Sequence, residues 1–178
     1  MRVVEPPEEA ESGAAPRGID ESLEAYVQRL ALAKASAVVS CGGQGTFLAC
    51  DTLSEVDGEP LGKPTDRADA ERMMRALSGR VHRVVTGVCL WQRPELEPLL
   101  ASEESILEMG PLDREFLDWY LDSGLWRGKA GACGYQDERL PLWVLSGSES
   151  NVVGLPLERV RRMLTDVDMR LAAAARQH

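Results

Sequence analysis

A chain of 178 residues with 44% hydrophobic content can bury a substantial core as one domain, or as one domain with lobes, and has the make-up of a soluble globular protein. Its formal charge of -9 excludes broad electrostatic binding to nucleic acid, which needs a basic surface to release phosphate counterions. No apolar run approaches the roughly 20 residues that span a bilayer, and no basic-then-apolar segment opens the chain, so the expected location is the cytoplasm, away from any membrane.

Residues 2–18 begin with two β-branched side chains and turn acidic and rich in Pro, Ala and Gly, which predicts a short strand running into a loop that holds Glu8 and Glu9. From Ser22 to Val38, apolar residues at Leu23, Tyr26, Val27, Leu30 and Ala33 follow the spacing of a one-sided helix, with Asp20 or Ser22 as its cap. Lys34 falls on the apolar side, where a cation either snorkels to water or meets a negative partner. The glycines around Gln44 precede a strand and lack the Gly-Lys-Ser/Thr ending of a phosphate loop, so they are expected to form a turn.

Thr46 to Cys50 is short and apolar enough for a buried strand, and it stops on Asp51, which predicts a carboxylate at a strand end followed by Thr52. A turn at Val56-Asp57-Gly58 leads to Leu61-Gly62-Lys63-Pro64, where a glycine and a proline fix the backbone around one lysine. Asp51 and Lys63 thus make a candidate acid/base and cation pair, placed as ligands are placed beyond strand ends in open α/β sheets, and suited to a polyanion held with a metal.

Downstream, residues 66–77 predict a helix capped by Thr65 or Asp66, and 81–91 a central strand carrying His82 and Thr86 on one face. Residues 92–102 read as a connection, 105–109 as a short strand and 113–123 as an amphipathic helix stopped by Gly124. Gly128 to Gln136 is a glycine-rich loop whose backbone can approach a ligand closely and whose Gln136 offers both a donor and an acceptor. A short buried strand at 142–145, a polar loop around Ser148 and Ser150, and a long helix from Glu158 to Ala175 complete the chain. The last turns of that helix are expected to be exposed or to serve a subunit contact, which leaves a homodimer open. Cys41, Cys50, Cys89 and Cys133 show neither a C-x-x-C pair nor zinc spacing and suit a reducing compartment.

The string from Cys50 through Asp51-Thr52 to Lys63-Pro64, with Leu77-Ser78-Gly79 and Val85-Thr86-Gly87 after it, resembles the Maf family of nucleoside triphosphate pyrophosphatases. Tyr26 to Ala35 upstream, Gly128-Lys129-Ala130-Gly131 with Gly134-Tyr135-Gln136, and Gly147 to Leu157 extend the resemblance over most of the chain, as a single domain across residues 1–178. It implies an α/β fold, with a mixed twisted sheet flanked by helices and two lobes around a cleft. The implied reaction is hydrolysis of a nucleoside triphosphate to the monophosphate and pyrophosphate. Asp51 would be the base and a metal ligand, Glu9 would help hold Mg2+ or Mn2+ with Glu8 as its competitor, and Lys34 and Lys63 would bind phosphates. Thr52 and Gln136 match the positions that accompany dTTP and UTP in the family.

One family block is missing: the opening strand and the Ser-x-Ser-Pro-Arg-Arg string that contacts the triphosphate. Two other functions therefore stay open, a nucleotide-binding protein with little turnover and, more weakly, a general metal-dependent phosphatase. A chain without that segment is expected to be less stable and less active than an extended one.

Overall fold

The computed structural model describes residues 3–4, 15–137 and 139–176. In chain order these form α1 (Leu23–Val39), β1 (Gly45–Val56), β2 (Glu59–Leu61), α2 (Arg67–Leu77), β3 (Val81–Arg93), β4 (Leu99–Met109), α3 (Arg114–Ser123), a single 3-10 turn at Ala130–Ala132, β5 (Leu142–Ser146), the short α4 (Glu149–Val152) and α5 (Leu157–Ala175). The class is α/β, with one five-stranded sheet in the order β2-β1-β3-β4-β5. The β1–β2 and β4–β5 pairings are antiparallel, the first with Val56 opposite Glu59 and the second with Met109 opposite Leu142. No helix among the described residues is long and apolar enough to cross a membrane.

The helices begin where short polar side chains can satisfy their first N–H groups. Ser22 accepts from the Ala25 amide at 3.1 Å, Asp66 from Asp69 at 2.8 Å and Asp113 from Phe116 at 2.8 Å. Asp57 and Gly58, with φ of 53° and 83°, turn β1 into β2; both central residues of such a two-residue hairpin need positive φ.

The chain divides into two compact units. The first contains residues up to Asp51 with 86–103 and 157–178, and the second contains 52–85 and 104–156. In the first, Val160, Met163 and Val167 of α5 pack on Val88 and Leu90 of β3. Ala31 and Ala35 of α1 pack on Cys89, with Ala49 of β1 alongside. α1 approaches β3 tightly at Gly87, where an added Cβ would sit 2.2 Å from the Val27 backbone. In the second unit, Met73, Met74 and Leu77 of α2 share a core with Leu117, Tyr120 and Leu121 of α3, beneath Val56, Leu61 and Met109 from the strands. A charged row crosses three strands there: Arg83 on β3 reaches Glu55 on β1 at 2.7 Å and Glu104 on β4 at 2.8 Å.

Several expectations need correcting. β1 does not end at Asp51 but runs through Val56, because its polar second half is paired with β2 and satisfied by Arg83. Asp51 therefore lies inside a strand. β4 begins at Leu99, within the stretch read as a connection. β5 is not buried: Trp143 and Leu145 are each 54% exposed. Val3 and Val4 form no strand, and the rest of the acidic segment up to Ala14, Glu8 and Glu9 included, lies outside the described residues.

Gly87→Ala pushes a methyl into helix backbone that has no soft side chain to yield. The expected cost is about 2 kcal/mol, or roughly 4–8 °C in Tm, read by thermal unfolding. A Tm within 1–2 °C of wild type, roughly the noise of such scans, would show that α1 is not seated there.

Candidate active site

Alternate residues of a strand share a face, so Asp51 points the same way as Ala49, toward the α1 side chains that Ala49 packs beside. On α1, residues 31, 34 and 35 lie on one helical face, which brings Lys34 to the same place. The Lys34 Nζ stands 2.5 Å from Asp51 Oδ1, with the two side chains 15% and 13% exposed. A carboxylate and an ammonium so far withdrawn from water each carry a desolvation cost that the other offsets. Gly87 matters to this pair because it sets how deeply α1 is seated, two helical turns before Lys34.

Lys34 also lines a cavity of about 670 Å³ with Val38, Gln44, Thr46, Phe47 and Leu48, within the size range of small-molecule sites. The neighbouring Cys50 is no nucleophile: burial pushes its thiol up to about 11, so it stays protonated at neutral pH. His82 is buried within the second unit, and burial lowers its pKa, which keeps the ring neutral.

In the second unit, Thr52 faces Gly154, where a Cβ would lie 3.2 Å from the Thr52 hydroxyl, so the chain after α4 closes over this residue without a side chain. That segment is anchored from beneath. Asn151 is fully buried and donates to the Val84 carbonyl at 3.2 Å and to Ser105 Oγ at 2.9 Å, while Ser105 accepts from the Ser148 amide at 3.0 Å. Lys63 is exposed, just after a glycine whose carbonyl accepts from the Gly131 amide at 3.0 Å. The glycine-rich loop is thereby tied to the lysine loop. Gln136 is exposed near the end of that loop, beside Tyr135, whose hydroxyl donates to Glu149 Oε1 at 2.8 Å.

The structure thus brings Lys34 to Asp51 in one unit, and joins the segments carrying Lys63, Gln136 and Thr52 through backbone and loop contacts in the other. Among the described residues no group of three His, Cys, Asp or Glu side chains gathers as a metal cage. Mg2+ does not ask for one, since it commonly takes one or two carboxylates and completes its shell with water and substrate phosphates. Asp51 meets that need in part, and Glu9 lies outside the described residues. Asp137, Lys129 and Tyr120 form a linked group in the glycine-rich loop and α3 that the sequence reading does not single out, its one local sign being a pair of opposite charges at the two ends of the loop.

The sequence pattern of the family described as Maf-like protein matches residues 3–167, and the chain belongs to that family. It is 49% identical over 140 residues to the dTTP/UTP pyrophosphatase of Symbiobacterium thermophilum, covering 78% of this chain and 71% of that protein. The dTTP/UTP pyrophosphatase of Rhodopirellula baltica is 46% identical over 149 residues, covering 83% of this chain and 66% of that protein. That of Pyrococcus horikoshii is 38% identical over 133 residues, covering 74% and 70%. The chain thus spans 66–71% of the length of these relatives.

Because the two charges compensate each other, neutralising one should cost more than neutralising both. Lys34→Met alone is expected to lower stability by about 2 kcal/mol, the buried-pair cost reduced for partial exposure, and Lys34→Met with Asp51→Asn by less than the sum of the single changes. Urea unfolding of the four proteins reads this directly. Strict additivity would mean that the contact carries no energy.

Proposed function

We propose that this chain hydrolyses a nucleoside triphosphate between the α and β phosphates, giving the monophosphate and pyrophosphate, with dTTP and UTP preferred. The observation that carries the reading is the Lys34–Asp51 pair, a charge-compensated acid and cation whose two residues both lie within the stretch that matches the family. The names of the relatives support the substrate class.

In the proposed reaction a water oxygen attacks the α phosphorus and its proton passes to the Asp51 carboxylate. The bond from that phosphorus to the α,β-bridging oxygen breaks, and the electron pair leaves with pyrophosphate. Without substrate, Lys34 is held by Asp51. A triphosphate would compete for the ammonium, drawing Lys34 toward phosphate oxygens and leaving the carboxylate to the water. Lys63, on its exposed loop, would add positive charge where negative charge accumulates. Asp51, with Glu9, would hold Mg2+ or Mn2+, which when bound supplies charge neutralisation on the phosphates. Thr52 and Gln136 would read the base: each offers a polar group that a mismatched base leaves unpaired.

Two measurements test this. In a nucleotide panel with Mg2+ or Mn2+, pyrophosphate release is expected to show the highest kcat/KM for dTTP and UTP; orthophosphate as the product, or tight binding with no product, contradicts the reading, and 7-methyl-GTP ahead of both removes the pyrimidine preference. Asp51→Asn keeps the shape and removes the charge, so turnover should fall by roughly 10²-fold or more with the fold retained. Near wild-type turnover in that variant would exclude Asp51 as the base.

A further inference from the structure

Asp137 is a heavily bonded carboxylate at the end of the glycine-rich loop. Its side chain is 10% exposed and accepts from Lys129 Nζ at 2.5 and 2.7 Å, from the Tyr120 hydroxyl at 2.6 Å and from the Gly134 amide at 3.0 Å. Tyr120 is 1% exposed in the core of the second unit, so its hydroxyl is a rigid anchor; burial first, then the bond to Asp137, raises its pKa and keeps it a donor. Lys129 reaches back across Gly134, where a Cβ would meet its Nζ at 2.9 Å and its Cδ and Cε at 3.0 Å. A side chain at residue 134 would displace the lysine.

These contacts compensate for a loop that is otherwise loose. Gly128 and Gly131 hold φ of 73° and 67°, and a segment built on such residues loses much backbone entropy when it is fixed. The loop is fixed at both ends by the Lys129–Asp137 pair, in the middle by the bond from Gly131 to Gly62, and at Tyr135 by Glu149. Gln136 stands between the restraints at Tyr135 and at Asp137. An amide has a donor and an acceptor at opposite corners, and it distinguishes bases only when its backbone cannot shift to suit the wrong one.

We infer that Asp137 is a positioning residue for base selection, holding Gln136 in register through Lys129 and Tyr120. The inference rests on the reading above that Gln136 contacts the base. It separates selectivity from the reaction: weakening the network should loosen the choice of base while the chemistry at Asp51 continues.

The test compares kcat/KM for dTTP and dCTP, by pyrophosphate release, in the full chain and in Gln136→Ala, Asp137→Asn, Tyr120→Phe and the Gln136→Ala/Asp137→Asn double variant, with Tm measured for each. Tyr120→Phe keeps the apolar core and removes one hydrogen bond, so it decides the matter if Asp137→Asn does not fold. Both single network variants are expected to lower the dTTP to dCTP ratio by about 10-fold, mainly through KM for dTTP. With Gln136 already replaced by Ala, Asp137→Asn should change the ratio by less than about 2-fold, because its effect passes through that side chain. Equal losses for both nucleotides, an undiminished effect in the double variant, or an unchanged ratio in Asp137→Asn and Tyr120→Phe while Gln136→Ala loses it, would each overturn the positioning role alone. An unchanged ratio in Gln136→Ala would overturn the base-reading role of Gln136, and the positioning role with it.

Discussion

Burial of Asp51 inside a strand is the constraint to which much of the first unit answers. A carboxylate on the helix-covered side of β1 would be strongly destabilising unless a cation met it, and Lys34 does so at 2.5 Å. For that contact to exist, α1 must sit close to the sheet. Ala31 and Ala35 are small, Ala49 opposite them is small, and Gly87 has no side chain where the Val27 backbone lies. Packing and electrostatics therefore lead to one geometry: the small residues bring the helix in, and the helix brings the ammonium to the acid. Such a pair contributes little net stability compared with an apolar replacement, so its value is better sought in chemistry than in folding.

The second unit solves a different problem, how to keep loops in place at the rim of a sheet. At Gly131 a Cβ would meet Ser54 Oγ at 2.9 Å, and at Gly147 it would meet Ser105 Oγ at 2.4 Å. Each of these glycines also has positive φ, 67° and 90° respectively, so conformation and space both require it. Polar side chains then hold what the glycines allow to approach: Asn151 and Ser105 under the segment that meets Thr52, Asp137 and Lys129 in the loop that carries Gln136. Specificity in a pocket depends on such fixed polar groups, because a mobile one can adapt to the wrong ligand.

Much of this was legible in the chain itself. Helices α1, α2 and α3 follow from apolar spacing, with Ser22 and Asp66 ahead of the first two and Gly124 after the third, and Lys34 on the apolar side of α1 signals either snorkelling or a negative partner. Asp51 was misplaced at a strand end because the apolar run stops at Cys50. What continues β1 is pairing with β2 and the charged row through Arg83, neither of which leaves a local pattern. β2 escapes notice because it is three residues long and contains Pro60, and the start of β4 because prolines at 94 and 98 precede it. The network around Asp137 leaves no local pattern for a similar reason, since its partners Lys129 and Tyr120 lie 8 and 17 residues away.

In the proposed reaction, water attacks the α phosphorus of a nucleoside triphosphate. Hydrolysis of dTTP in 18O-labelled water, followed by mass spectrometry of the products, tests it most directly. Attack at the α phosphorus leaves one labelled oxygen in the monophosphate and none in pyrophosphate. Label in pyrophosphate would place the attack at the β phosphorus, and labelled orthophosphate would place it at the γ phosphorus; either result would contradict the account.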